Sequence, residues 1–187
     1  NIPEPLSSNS WTPLHFAARA DSLEIVKLLH ASGANLEART IPAAKLDYAT
    51  KLTPLRIAAI HGHLEVAEFL IEKGADMHNN DDNGVPPLCA AASFGWTDMV
   101  AFLVDKGAAV DVLDNDEFPA ISLAALRGHH GCVLKLIELG AEYRVPKEGT
   151  MGALRCAAEG GHLDIVELLL DRDADINQCD KTGRSPI

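Results

Sequence analysis

The chain lacks most of the short signatures by which sequences announce chemistry. Its 187 residues contain no Gly-x-Ser-x-Gly elbow, no His-Glu-x-x-His pair and no phosphate loop ending in lysine. Four cysteines, Cys89, Cys132, Cys156 and Cys179, form no Cys-x-x-Cys pair, and no Asn-x-Ser/Thr sequon occurs. No apolar run approaches the roughly 18 residues of a membrane span. Nothing at the N-terminus reads as a signal peptide, although a chain starting at Asn1 is read as trimmed. Positive charge is scarce: 16 Lys and Arg face 27 Asp and Glu, for a formal charge of −11. Such a surface repels nucleic-acid phosphates and anionic headgroups and favours basic partners. Together these absences describe a reduced, soluble, intracellular protein, cytoplasmic or nuclear. They point to no catalytic residues, no metal and no cofactor. A hydrophobic content of 47% is ample for a buried core and excludes disorder.

What the chain does have is a beat. The anchor Leu14 is followed by Leu55, Leu88, Ile121, Leu154 and Ile187, and the last five stand 33 residues apart. Each of the first five anchors is followed, three and four residues on, by an alanine pair: 17–18, 58–59, 91–92, 124–125 and 157–158. A glycine recurs on the same period at Gly33, Gly74, Gly107 and Gly140, with Asp173 in the fifth place. A coupled pattern repeated five times changes the meaning of every local motif.

Each unit reads as two short helices. Thr12 and Thr53 suit an N-cap and Pro13 and Pro54 the first helical position, so a helix of about two turns starts there. It should end at Gly62, Gly95, Gly128 and Gly161, where a left-handed residue is wanted; the first unit has Asp21 instead. A second helix follows in LEIVKLLHASG, LEVAEFLIEKG, TDMVAFLVDKG, HGCVLKLIELG and LDIVELLLDRD. Its apolar residues keep helical spacing, and acids cluster near its N-terminus where the dipole favours them. No unit can bury its own apolar face, so the units must stack.

The stretches WTPLHFAA (11–18), LTPLRIAA (52–59), GHLEVAEFLIEKGAD (62–76) and GGHLDIVELLLDRDADIN (160–177) resemble the ankyrin repeat, and the likeness runs from residue 11 to 187. The resemblance implies an all-α solenoid of stacked antiparallel helix pairs with β-turn or hairpin fingers. It implies a single domain over 1–187, with repeats near 10–39, 51–80, 84–113, 117–146 and 150–179 and a partial one at 183–187. Fingers and first helices would form a concave binding face. The fourth and fifth units read FPAISLAAL and MGALRCAA and lose the Thr-Pro start, each lost cap costing about 0.5–2 kcal/mol.

The stretch IHGHLE (60–65) looks at first like a metal site. Gly-His recurs at 128–129 and 161–162, however, which makes it a turn between helices. Stacked helices lie about 8–10 Å apart, too far for their histidines to share ligand bonds near 2.0–2.1 Å. His61 and His63, two apart, do not face each other along a helix, and His130 reads as a surface residue. NNDDNG (79–84) imitates a calcium loop, but the twelfth position is Ala90 rather than a bidentate glutamate. Cys89, Cys132 and Cys156 fall inside helices and read as small buried hydrophobes.

Binding is therefore expected from positions the repeat leaves free. Three residues before the anchors, near the finger tips in the family, stand Trp11, Leu52, Val85, Phe118 and Met151. Near the ends of the first helices stand Ile60, His61, Phe94, Leu126 and Arg127. These form a candidate apolar stripe for a partner polypeptide's hydrophobic side chains, each large contact contributing about 1.5–3 kcal/mol. Packing between adjacent fingers is the alternative use of the tip residues. Between Asp76 and Glu117 stand nine acids and one base, Lys106. Asp82 and Asp116 in those fingers would steer basic flanks of the partner. A solvated surface is the alternative here too.

Between Leu14 and Leu55 the interval is 41, so eight extra residues enter the first finger around 40–50. Pro42 and Tyr48 are expected there, exposed or folded back on the groove. Neither end shows an obvious polar cap, which reads as an excerpt of a longer array. The favoured function is a monomeric, non-enzymatic interaction module, a scaffold or adaptor that docks a protein. A regulatory domain acting in cis within a larger enzyme, channel or immune receptor is the alternative. A third idea is modification, since Asn177 resembles ankyrin asparagines that are hydroxylated.

Overall fold

The computed structural model describes residues 11–40, 51–78, 85–144 and 152–177. Met151, Asp82, Pro42, Tyr48, Cys179 and the partial unit at 183–187 lie outside these residues. The described residues form five helix pairs: α1 (Pro13–Arg19) with α2 (Leu23–Ala31), α3 (Pro54–His61) with α4 (Leu64–Glu72), α5 (Pro87–Ser93) with α6 (Thr97–Asp105), α7 (Ala120–Leu126) with α8 (His130–Glu138), and α9 (Ala153–Gly160) with α10 (Leu163–Leu170). None of them is long and apolar enough to cross a membrane.

The sequence punctuation determines these boundaries. Thr53 caps α3, its hydroxyl accepting the Arg56 N–H at 3.2 Å, with Pro54 as the first helical residue. The third, fourth and fifth first-helices begin after Pro86, Pro119 and Gly152, none of which offers a side-chain cap. Gly62, Gly95, Gly128 and Gly161 all have positive φ, between 74° and 81°, and Asp21 takes the same role at 53°. The second helices end on another left-handed residue, Gly33, Gly74, Gly107, Gly140 or Asp173.

Successive first helices pack in one row (α1, α3, α5, α7, α9) and second helices in a parallel row, each second helix lying against its own first. The anchors Leu14, Leu55, Leu88, Ile121 and Leu154 are at most 2% exposed, and the alanine pairs are buried apart from Ala158. Small side chains at those positions let the first helices approach closely. From the second helices Val26, Val66, Val100, Val133 and Ile165 complete the filling, each fully buried. The result is one apolar cluster running along the stack rather than a single globular centre. Stability is thereby shared between units and junctions, as expected of a linear array.

The fingers carry little regular pairing. Among the described residues one isolated antiparallel bridge, Leu113 to Pro119, closes the third finger.

Candidate functional site

The turn in IHGHLE shows what its histidines do. The ring Nε2 of His63 lies 3.0 Å from the carbonyl of Arg19, in the preceding repeat. Trp96, His129 and His162 occupy the equivalent place, eight residues after their anchors, and reach the carbonyls of Ile60, Ser93 and Leu126 at 2.7, 3.0 and 3.1 Å. A carbonyl oxygen can only accept, so in every case the ring donates, as the indole N–H of Trp96 must. Those carbonyls belong to the last turns of first helices, which are short of partners. Each ring thus ties one repeat to the one before it.

At Gly62, Gly95 and Gly128 glycine serves two purposes, whereas Asp21 suffices in the first turn. Gly62 has a left-handed φ of +74°, and a Cβ placed on it would lie 2.4 Å from the Trp96 indole. A Cβ on Gly128 would lie 2.5 Å from the His162 ring. The next repeat's ring therefore rests directly on the glycine face. Residues 61 and 63 depart from the expectation that they do not face each other: their rings stack at 5.6 Å with planes 20° apart. The reason is that α3 ends at His61, and the left-handed Gly62 folds the chain back on itself. Burial, then the neighbouring His63 and Arg19, push the His61 pKa below its ordinary value. Among the described residues no three His, Cys, Asp or Glu side chains gather where they could hold a metal ion.

His15 is the second structural ring, and sequence reasoning passed over it. It is fully buried. Its Nδ1 lies 3.0 Å from the Thr12 N–H and 2.8 Å from the Thr12 hydroxyl, while Nε2 reaches the carbonyls of Ala38 and Leu52 at 2.9 and 3.0 Å. Burial holds its pKa below the ordinary value despite those carbonyls. The signal was present in Thr-x-x-His, which sets N-cap and third helical residue one turn apart. In the third repeat Cys89 replaces it, with its sulfur 3.5 and 3.9 Å from the carbonyls of Val112 and Phe118, the matching positions. Burial pushes the thiols of Cys89 and Cys156 up to about 12. The Cys132 thiol is raised as well, again chiefly by burial.

Finger closure explains how the first finger accommodates its insertion. The Thr40 N–H donates to the Leu52 carbonyl at 3.0 Å, and the Leu52 N–H donates to the Thr40 hydroxyl at 3.0 Å. In the third finger Asp114 and Phe118 make the same reciprocal pair, at 3.1 and 2.8 Å. The extra residues therefore leave from, and return to, an unaltered base.

Several acids are committed to the fingers themselves. Asp76 accepts the His78 N–H, Asp114 those of Asp116 and Phe118, and Asp111 that of Glu142 in the following finger. Glu37 likewise accepts the Asp76 N–H across the first junction. Asp116 is exposed.

The apolar candidates divide in two. Trp11, Leu52, Val85 and Phe118 are half-buried and packed against the core. Trp11 also packs on Phe16 and lies under the Arg19 guanidinium. At the ends of the first helices Phe94 is 54% exposed, His61 and Arg127 are exposed, and Ile60 and Leu126 are half-buried. Trp96, 41% exposed, adds an aromatic surface that the sequence reading did not include. Asn177 is exposed, with its N–H on the Asp175 carboxylate.

Comparison with known proteins agrees with this architecture. A family description for ankyrin repeats in three copies matches residues 2–81 and 55–147, and one for a single ankyrin repeat matches residues 151–181. Over 82 residues the chain is 34% identical to the glycerophosphocholine phosphodiesterase gde1 of Schizosaccharomyces pombe, covering 44% of this chain and 7% of that protein. Over 74 residues it is 39% identical to the ankyrin repeat and KH domain-containing protein mask-1 of Caenorhabditis elegans, covering 40% of this chain and 3% of that one. The chain thus matches only small parts of these much longer relatives. Ankyrin repeats are protein–protein interaction modules, and stacked repeats present extended surfaces for that purpose. With five helix pairs on a common period, ring ties at each junction and family matches along most of its length, this chain belongs to the ankyrin repeat family.

Proposed function

We propose that this chain is a non-enzymatic scaffold or adaptor that holds a partner polypeptide along the concave face of fingers and first helices. The observation that carries the reading is Phe94, a large aromatic side chain 54% exposed between the equivalent exposed residues His61 and Arg127 of the flanking repeats. The repeat's own hydrogen-bonding residues are occupied with folding, and Phe94 is not among them. Trp96, Ile60 and Leu126 extend the apolar surface, while the half-buried Trp11, Leu52, Val85, Phe118 and, outside the described residues, Met151 are its finger-side margin. The partner offers apolar anchors, and Asp116 with Asp82 favours basic flanks. Asp76, Asp111 and Asp114 already accept backbone N–H groups, so charge contributes to encounter more than to affinity. The protein acts as a monomer, in the cytoplasm or nucleus, a setting compatible with its free buried Cys89, Cys132 and Cys156.

A second reading is favoured by one observation, the match to part of a much longer phosphodiesterase. In that reading the repeats act in cis, as a regulatory domain within a larger enzyme, channel or immune receptor, and use the same face.

Selection of displayed peptides on the purified chain tests the binding face. Selected peptides are expected to share an apolar anchor beside Lys or Arg, and Phe94→Ala to weaken them about tenfold or more, as loss of one large buried contact does. Binding unchanged by Phe94→Ala, by Phe118→Ala and by ionic strength would remove the reading.

A further inference from the structure

The first repeat ends the described stack with a face built like an interior one. Phe16 in α1 is 56% exposed, whereas Ile57, Ala90 and Cys156, two residues after their own anchors as Phe16 is, are at most 2% exposed and Leu123 is half-buried. Ile25 in α2 is 51% exposed, and its equivalents Val66, Met99, Cys132 and Ile165 are at most 1% exposed. Leu28 adjoins them at 66%. All of these equivalents except Leu123 are buried, and each belongs to a helix pair that has a preceding pair packed against it. Between Trp11, Phe16, Ala20 and Ile25 runs an open apolar groove of about 480 Å³. Among the described residues no charged side chain lines the groove, although the Arg19 guanidinium lies over Trp11 at its edge. A terminal unit meant to face water carries polar residues at such positions.

We propose that this end face is a docking surface for one further helix pair of the ankyrin type, stacked in the register of the internal junctions. The argument is continuity. The surface is the same one that α3 and α4, α5 and α6, α7 and α8, and α9 and α10 each present to their predecessors, with apolar side chains two and eleven residues after each of the first five anchors. Trp11 stands where Phe118 does, three residues before the anchor, so its N–H is placed to close a preceding finger as Phe118 closes the third. The inference concerns the end of the stack and shares only Trp11 with the face around Phe94.

The test fuses a copy of residues 85–117, one full period, directly ahead of Trp11 in place of residues 1–10. Amide hydrogen exchange in α1 and α2 is then compared among the fusion, the intact chain and a chain lacking residues 1–10. Exchange in both helices is expected to slow by about tenfold or more in the fusion, as burial of exposed large side chains does. Ile25→Glu should abolish that gain while leaving the intact chain's melting unchanged, which separates docking from damage. Equal exchange in the fusion and the intact chain overturns the proposal. So does faster exchange on deleting residues 1–10 alone, which makes that segment the occupant. So does concentration-dependent self-association of the intact chain that Ile25→Glu removes, which makes the occupant a second copy.

Discussion

The indole of Trp96 donates to the Ile60 carbonyl across 2.7 Å. It does so from the position that histidine holds in the second, fourth and fifth repeats, so one geometric task is performed by two unlike side chains. What the position requires is a flat ring with a distal N–H. Charge and metal-binding capacity are not part of the requirement.

Substitution at one such tie should therefore follow shape. His129→Ala is expected to cost about 0.5–1.5 kcal/mol, the net contribution of one hydrogen bond, and His129→Trp less. Gly95→Ala places a Cβ 2.7 Å from the His129 ring at a φ of +81°. It should cost the left-handed penalty of about 1–2 kcal/mol and the clash besides. In a His129→Ala background the clash disappears and only the backbone penalty remains. Urea denaturation of the four proteins in a double-mutant cycle measures the coupling.

Much of this was legible in the sequence, because a period multiplies weak signals. One proline, one alanine pair or one glycine says little, yet alanine pairs and turn residues repeated in phase located every described helix pair and the left-handed turns at the helix ends, whereas the left-handed Glu117 in the third finger carried no such signal. The rings were less legible. Trp96 was hidden because its residue type differs from His63, although its offset from Leu88 equals that of His63 from Leu55. His15 was hidden because its two acceptors, Ala38 and Leu52, are 23 and 37 residues away. The stacking of His61 on His63 depends on the conformation of Gly62, which helical spacing does not describe.

His15 makes stability depend on pH. Its folded-state pKa lies below the ordinary 6.5, chiefly through burial. As pH falls the unfolded chain takes up the proton first, so this contribution is complete above about 6.5 and declines below it. The deeply buried ring also satisfies Ala38 and Leu52, so His15→Gln should destabilise by about 1–3 kcal/mol at pH 7.5. The gap between wild type and variant should narrow as pH drops to 5, because only the wild type loses the His15 contribution. His61, lowered in the same direction, steepens the wild-type slope in both proteins. Denaturant melts at several pH values follow the difference.

The first finger should tolerate shortening. Replacing residues 41–51 with Asn-Asp-Glu, the residues at 115–117, leaves the Thr40 to Leu52 pair with the spacing that Asp114 and Phe118 have. Loop-closure entropy changes by only about 1 kcal/mol, in the stabilising direction. Thr40→Val, which removes the acceptor of the Leu52 N–H, should cost about 1–3 kcal/mol. Thermal melts by circular dichroism compare the two, and a large loss on shortening would show the insertion to be structural.

The thiols of Cys89 and Cys156, pushed up to about 12 by burial, should be inert in the folded protein. In a Cys179→Ser background at pH 8, Ellman's reagent is expected to react with them only at the rate of unfolding, and at once in denaturant. Fast reaction under native conditions would mean that the junctions open locally.

The central claim is that the turn histidines tie repeat to repeat. Long-range nitrogen–proton correlation spectra of the histidine rings at pH 7.5 test it most directly, because they report which nitrogen carries the proton. His63, His129 and His162 should all carry a proton on Nε2, hydrogen-bonded to the carbonyls of Arg19, Ser93 and Leu126, with spectra unaltered by equimolar zinc. Protons on Nδ1 alone, or a shift shared by these rings on adding zinc, would contradict it.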